Sequence, residues 1–124
     1  MTETSQEINP LTNPKQDVRK LVRIRAAHKG AFTKLEPKVD AMLSRPITDQ
    51  DRLVEAEGLL ATLKNKSQIV NRYDAEIELL IEDENDLAIE VEANTLFDEK
   101  ISIAIARCEA LIANYKKKSN NFIK

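Results

Sequence analysis

Val18, Leu21, Arg25, His28, Phe32, Leu35, Val39 and Met42 stand at alternating intervals of three and four residues. That spacing gathers all eight on one stripe of an α-helix, because 3.6 residues per turn bring i+3 and i+4 back to the same side. A half-buried strand would instead alternate by two. The pattern recurs in Ala56, Leu59, Leu63, Lys66, Val70, Tyr73, Ile77 and Leu80, which Leu53, Leu60, Ile69 and Ile81 widen into a stripe broad enough for two neighbours. A third stretch places Leu87, Asn94, Ile101, Cys108 and Tyr115 seven apart, interleaved with Phe97, Ala104 and Leu111 and flanked by Val91, Ile105 and Ile112. With two Gly, no Trp and 4% aromatics, the composition suits long helices better than a sheet. The expected fold is all-α: an antiparallel helical hairpin or three-helix bundle with coiled-coil-like packing.

Punctuation sets the expected boundaries. Residues 1–12 are polar and aperiodic and read as a flexible lead. Asn13 and Pro14 suit the cap and first position of a helix, and a single helical domain is expected over 13–118. Its helices are expected at about 14–44, 48–82 and 86–118, with 119–124 as a frayed tail. Pro37 removes a backbone donor, so a kink or break is expected at Leu35–Glu36. Pro46 ends the first element and Thr48 is expected to cap the second. At "IEDENDL" (81–87) neither Gly nor Pro stands in the way. One helix from Thr48 to about Lys118, roughly 105 Å long at 1.5 Å per residue, is therefore an alternative to the hairpin. Four acidic residues between Glu82 and Asp86 favour a helix start there, with Asn85 as a cap or turn. Lys116 to Lys118 would form a cationic last turn.

Nothing in the pattern carries reaction chemistry. His28 is the only histidine and Cys108 the only cysteine, so neither a disulfide nor a His or Cys metal cluster can be built within the chain. Both lie at stripe positions, where a polar interface residue and a small buried hydrophobe are expected. The acidic "EDEND" lacks the Gly turn of a calcium loop. Gly30 and Gly58 stand alone inside helical pattern, not in a phosphate loop. The chain is read as non-enzymatic, with no cofactor, no metal and no small-molecule substrate. Without a signal-peptide layout or a long apolar run, no membrane partner is expected and the expected location is intracellular, in the cytoplasm.

Charge is unevenly spread. Residues 1–45 hold nine Lys/Arg and five Asp/Glu, residues 46–83 four and nine, and residues 84–124 six and seven, for a net −2. A basic first helix beside an acidic second one fits two helices that pack together. It also offers a polyanion contact through Arg19, Lys20, Arg23, Lys29 and Lys34, meaning weak, non-specific RNA binding without the stacking aromatics of single-strand readers.

"RIRAAHKGAFTKLE" (23–36) departs most from a plain helix. Arg25, His28, Phe32 and Leu35 keep the stripe, so this stretch is read as a helix–helix contact made by Arg25, His28, Gly30, Phe32, Thr33 and Leu35. Gly30 lowers helix propensity by about 1 kcal/mol relative to Ala, which suggests close approach of another backbone. Thr33 is placed to hydrogen-bond back to the preceding turn. The cluster Arg25, Lys29, Gly30, Thr33, Lys34, Leu35 resembles the R-x-x-x-K-G-x-x-T-[RK]-x pattern of the N-terminal, gag-like helical region of BEL/Pao-type LTR retrotransposon polyproteins. "RLVEAEGLLATLKNKSQIVNRYDAEIELLI" and "FDEKISIAIARCEALI" follow it in the order of that region, and the resemblance covers roughly residues 18–115. It implies a helical, self-associating scaffold from the particle-forming part of a polyprotein, without catalytic residues. Pro37 departs from the unbroken helix of that pattern. A partner-binding helical adaptor unrelated to retroelements is the other reading.

Overall fold

The computed structural model describes residues 14–123. They form three helices and no strand: α1 (Pro14–Leu43), α2 (Gln50–Leu80) and α3 (Glu84–Ile123). Each reverses the direction of the one before, so α1 and α3 run parallel with α2 antiparallel to both. The register of α2 and α3 is visible in two ion pairs. Lys64 meets Glu109 at 3.1 Å and Glu57 meets Lys116 at 3.1 Å, so seven residues back along α2 match seven forward along α3. This is the antiparallel arrangement of the expected three-helix bundle. The continuous rod is not formed: Ile81, Glu82 and Asp83 leave the helical path between α2 and α3.

The interior repeats every seven residues. Arg25, Phe32 and Val39 are buried on α1, Ala56, Leu63, Val70 and Ile77 on α2, and Asn94, Ile101 and Cys108 on α3. Phe32, Val39, Leu63, Ile101 and Cys108 form one apolar cluster, and the Phe32 and Phe97 rings meet edge to face at 5.5 Å. A second cluster of Met42, Ile47, Leu53, Ala56 and Ile112 closes the end where α1 turns into α2. Ile47 thereby ties the 44–49 connection into the core. Arg52 Nη2 reaches the carbonyls of Met42 and Arg45, each at 3.4 Å, and satisfies acceptors that the end of α1 leaves free.

Several boundaries differ from expectation. Asp49, not Thr48, caps α2: its backbone is extended and its Oδ1 accepts from Arg52 N at 2.8 Å. Asp83, not Asn85, caps α3, accepting from Asp86 N at 2.9 Å. Both caps are carboxylates at the positive end of a helix dipole, where a charged acceptor is stronger than a hydroxyl or an amide. Pro37 lies inside α1 without ending it. It withholds one donor from the Thr33 carbonyl, but Thr33 and Pro37 both face solvent, so water can take that place. The third helix continues to Ile123, and no Gly or Pro follows Lys118 to end it. Residues 119–123 are therefore helix rather than tail, and Lys116–Lys118 are not the last turn. The expected lead at 1–12 and the Asn13 cap lie outside the described residues.

Candidate functional site

One heptad before Phe32, the interior turns polar. Arg25, 7% exposed, projects from α1 between the other two helices. Its Nη1 donates to Asp74 Oδ1 of α2 at 2.9 Å, to Asn94 Oδ1 of α3 at 3.1 Å and to Glu90 Oε2 of α3. Asn94 Nδ2 in turn donates to Glu78 Oε2 at 3.0 Å, so all three helices enter one network. Asp74 and Asn94 are each 6% exposed.

Two carboxylates, Asp74 and Glu90, share the Arg25 guanidinium with Lys29 nearby, and burial and these neighbours shift the two carboxylates in opposite directions. Burial pushes Asp74 above its ordinary value; the hydrogen bond and charge of Arg25 and the charge of Lys29 offset only part of that, and Glu90 adds a smaller push upward. Glu90 feels burial most strongly as well. The hydrogen bonds from Arg25 and Asn94 and the charges of Arg25 and Lys29 outweigh it and hold Glu90 low. Burial opposes the charge on Arg25, but Glu90 and Asp74 raise its pKa overall. Burial and the Arg25 charge lower that of Lys29, whose Nζ stands 5.0 Å from the centre of the Phe97 ring.

The six residues expected at a helix–helix contact separate into two sets. Arg25 and Phe32 are buried, and Leu35 is half-buried against the apolar cluster. Half-buried His28 lies between α1 and α2, stacked on Tyr73 at 6.0 Å with Lys66 Nζ 3.3 Å from Nδ1. Gly30 and Thr33 are not part of this contact. Both face solvent, and a Cβ built on Gly30 meets nothing within 4 Å. The close backbone approach expected at Gly30 is thus absent within the chain, because position 30 stands about 140° around the helix from Arg25. Thr33 Oγ1 does bond back to the Lys29 carbonyl, at 3.2 Å.

The expected polyanion contact also divides. Arg19, Lys20, Arg23 and Lys34 are exposed and fall within an arc of about 100° on the outer side of α1. Lys29 is turned toward α3 and half-buried, so it leaves that arc.

Asp74 and Glu90 were missed by the stripe reading, although the spacing held the signal. Val70, Asp74 and Ile77 step by four and three, and Leu87, Glu90, Asn94, Phe97 and Ile101 by three and four. Each carboxylate is in phase with the core, and a lone arginine in a seam calls for partners of that kind.

Cys108 is fully buried in the apolar cluster. Burial, then the charge of Glu109, pushes its thiol above the ordinary value, away from nucleophilic reactivity. Among the described residues, no three His, Cys, Asp or Glu side chains are grouped to hold a metal ion, and no helix is long and apolar enough to cross a membrane. No family model, curated protein or solved structure matches the chain.

Proposed function

We propose that this chain is a non-catalytic helical scaffold that associates with itself, a gag-like module of the BEL/Pao retrotransposon type acting in the cytoplasm. One observation carries the self-association. The bundle closes its core within one chain, yet α3 keeps a second apolar series in solvent. Ile89, Leu96 and Ile103 are 67%, 62% and 53% exposed and stand seven residues apart. Single exposed hydrophobes are ordinary, but a row at helical repeat on one face is what a partner helix covers. The retroelement assignment rests on the cluster Arg25, Lys29, Gly30, Thr33, Lys34 and Leu35. The non-catalytic reading is supported by two facts: the polar cluster around Arg25 is occupied with its own hydrogen bonds, and the one cysteine is sealed in apolar packing.

Light scattering from micromolar to millimolar chain should give a mass that rises with concentration. A constant monomer mass over that range would rule out the scaffold. The exposed arc of Arg19, Lys20, Arg23 and Lys34 favours a second reading, weak RNA binding through phosphates. It predicts binding at low salt that disappears when Arg19, Lys20 and Arg23 are replaced by Glu. Unchanged binding in that variant removes the reading.

A further inference from the structure

The exposed row on α3 borders a cleft shared with α1. Phe32, Glu36 and Val39 from α1 and Lys100, Ile103 and Arg107 from α3 line that cleft, and Glu36 and Lys100 pair across it at 3.3 Å. Ile89 and Leu96 precede Ile103 by two heptads and one, so the row runs along the outer lip of α3 on this side. The matching lip of α1 follows from Lys29 and Glu36, which face α3. Stepping outward from them by the helical angle reaches Val22 and Asp40 and then Thr33, Ala26, Arg19, Pro37 and Gly30, all exposed. One face of the molecule therefore holds a row of large apolar side chains beside a strip of α1 whose middle, at Ala26, Gly30 and Thr33, is small.

The charges beside the two lips are opposite. Arg23 and Lys34 are exposed beyond that strip on α1, and Glu92 and Glu99 beyond the apolar row on α3. Because α1 and α3 are parallel, with Arg25 at Glu90, Lys29 at Phe97 and Glu36 at Lys100, Gly30 is level with Leu96 and Lys34 with Glu99. A two-fold axis along the helices lays α1 of one copy over α3 of the other and keeps these levels. Large side chains then meet small ones and bases meet acids. A two-fold axis across the helices would lay α1 on α1, cation against cation.

We propose that a second copy of the chain docks on this α1–α3 face about a two-fold axis parallel to the helices. Leu96 of each copy is seated over Gly30 of the other, and Lys34 pairs with the other copy's Glu99. This deepens the self-association reading and rests on it. It also accounts for an exposed glycine in mid-helix that nothing within the chain requires: the missing Cβ is where the partner's leucine lies.

Sedimentation equilibrium of the full chain from micromolar to millimolar concentration, at about 0.1 M salt where charges are screened over roughly 10 Å, tests the surface. Circular dichroism confirms that each variant stays folded. Leu96→Glu and Gly30→Leu should each weaken association at least about tenfold, since one removes and the other obstructs a central contact. Lys34→Glu and Glu99→Lys should each weaken it about threefold to tenfold, and the double reversal should restore it. Association untouched by Leu96→Glu and Gly30→Leu overturns this surface while leaving self-association standing. Failure of the double reversal to restore it overturns the two-fold arrangement. A chain that stays monomeric throughout overturns both the surface and the reading beneath it.

Discussion

One heptad separates Arg25 from Phe32 on α1 and Asn94 from Ile101 on α3, and the chemistry of the interior inverts across that step. At Phe32 the three helices bury apolar side chains, with Leu63 and Ile101 almost wholly removed from water. At Arg25 they bury a guanidinium that three acceptors share. Both layers fill the same space, but they tolerate error differently. An apolar layer weakens in proportion to the volume removed, because neighbours relax partly into a gap. A charged layer depends on complete pairing, because each member left alone keeps its desolvation penalty. The apolar layers supply most of the stability, and the Arg25 layer penalises wrong registers, since slipping any helix by one heptad strands a charge among hydrocarbon.

Replacing Arg25 by Met should therefore be the most damaging single change. It leaves Asp74 and Glu90 buried without their cation and should cost about 3–5 kcal/mol in urea unfolding. Replacing the group together, Arg25→Met with Asp74→Leu and Glu90→Leu, should recover most of that loss. A triple variant as weak as the single one would show that the layer is a net source of stability. Leu63→Ala, at a fully buried position in the apolar layer, should cost about 3 kcal/mol by the same measurement. A loss under about 1 kcal/mol there would mean that the apolar layer repacks more freely than its burial implies.

Much of this contrast could be read from spacing alone. The three stripes located Phe32, Leu63, Ile101 and Cys108 correctly, because a helix has one period and apolar residues declare it. Arg25 and Asn94 were placed on stripes as well. Asp74 and Glu90 escaped for a physical reason: a charged residue in phase with a stripe looks like its edge until a partner on another helix is known. The neighbours Tyr73 and Val91 are apolar enough to be chosen instead, yet Val91 is 41% exposed. Gly30 failed in the opposite sense. Its position five residues from Arg25 already pointed outward, but its lack of a side chain suggested a close contact inside the molecule. Choosing between hairpin and rod depended on three residues, Ile81 to Asp83, where no strong breaker stands and the Asp83 carboxylate starts the new helix.

Within the polar layer, the two carboxylates should respond to acid with opposite signs. Glu90 titrates below its ordinary value of 4.5 in the folded chain. Its contribution is thus complete above that pH and is lost as pH falls through the lowered folded value. Asp74 titrates above its ordinary 3.8, so folding favours its protonated form and gains stability as pH falls through the raised value. Glu90→Gln should then cost about 1–2 kcal/mol at neutral pH and flatten the loss of stability on the acid side. Asp74→Asn should change neutral stability by less than about 1 kcal/mol, because the amide resembles the uncharged form that burial favours. Thermal melts between pH 7 and pH 3 compare the two variants (about 0.1 M salt keeps screening constant). Equal losses at neutral pH would show that the layer treats the two carboxylates alike, against the asymmetry of their surroundings.

The smallest effects separate what each layer's helix needs for itself from what it needs for a partner. Gly30, one turn beyond Arg25, and Gly58, exposed beside the groove between α1 and α2, both have open space where a Cβ would stand. Alanine at either position should raise the stability of the dilute chain by about 0.5–1 kcal/mol, since each glycine sits in a helix interior that it weakens. Their association should differ. Gly58→Ala, away from the α1–α3 face, should leave the sedimentation profile unchanged, while Gly30→Ala should weaken association less than Gly30→Leu does. If the Gly30 variants gain stability and associate no more weakly than Gly58→Ala, the exposed glycine is only a weak point in α1. If the loss grows with side-chain size at 30 and is absent at 58, the gap in α1 is a place kept open for the second copy.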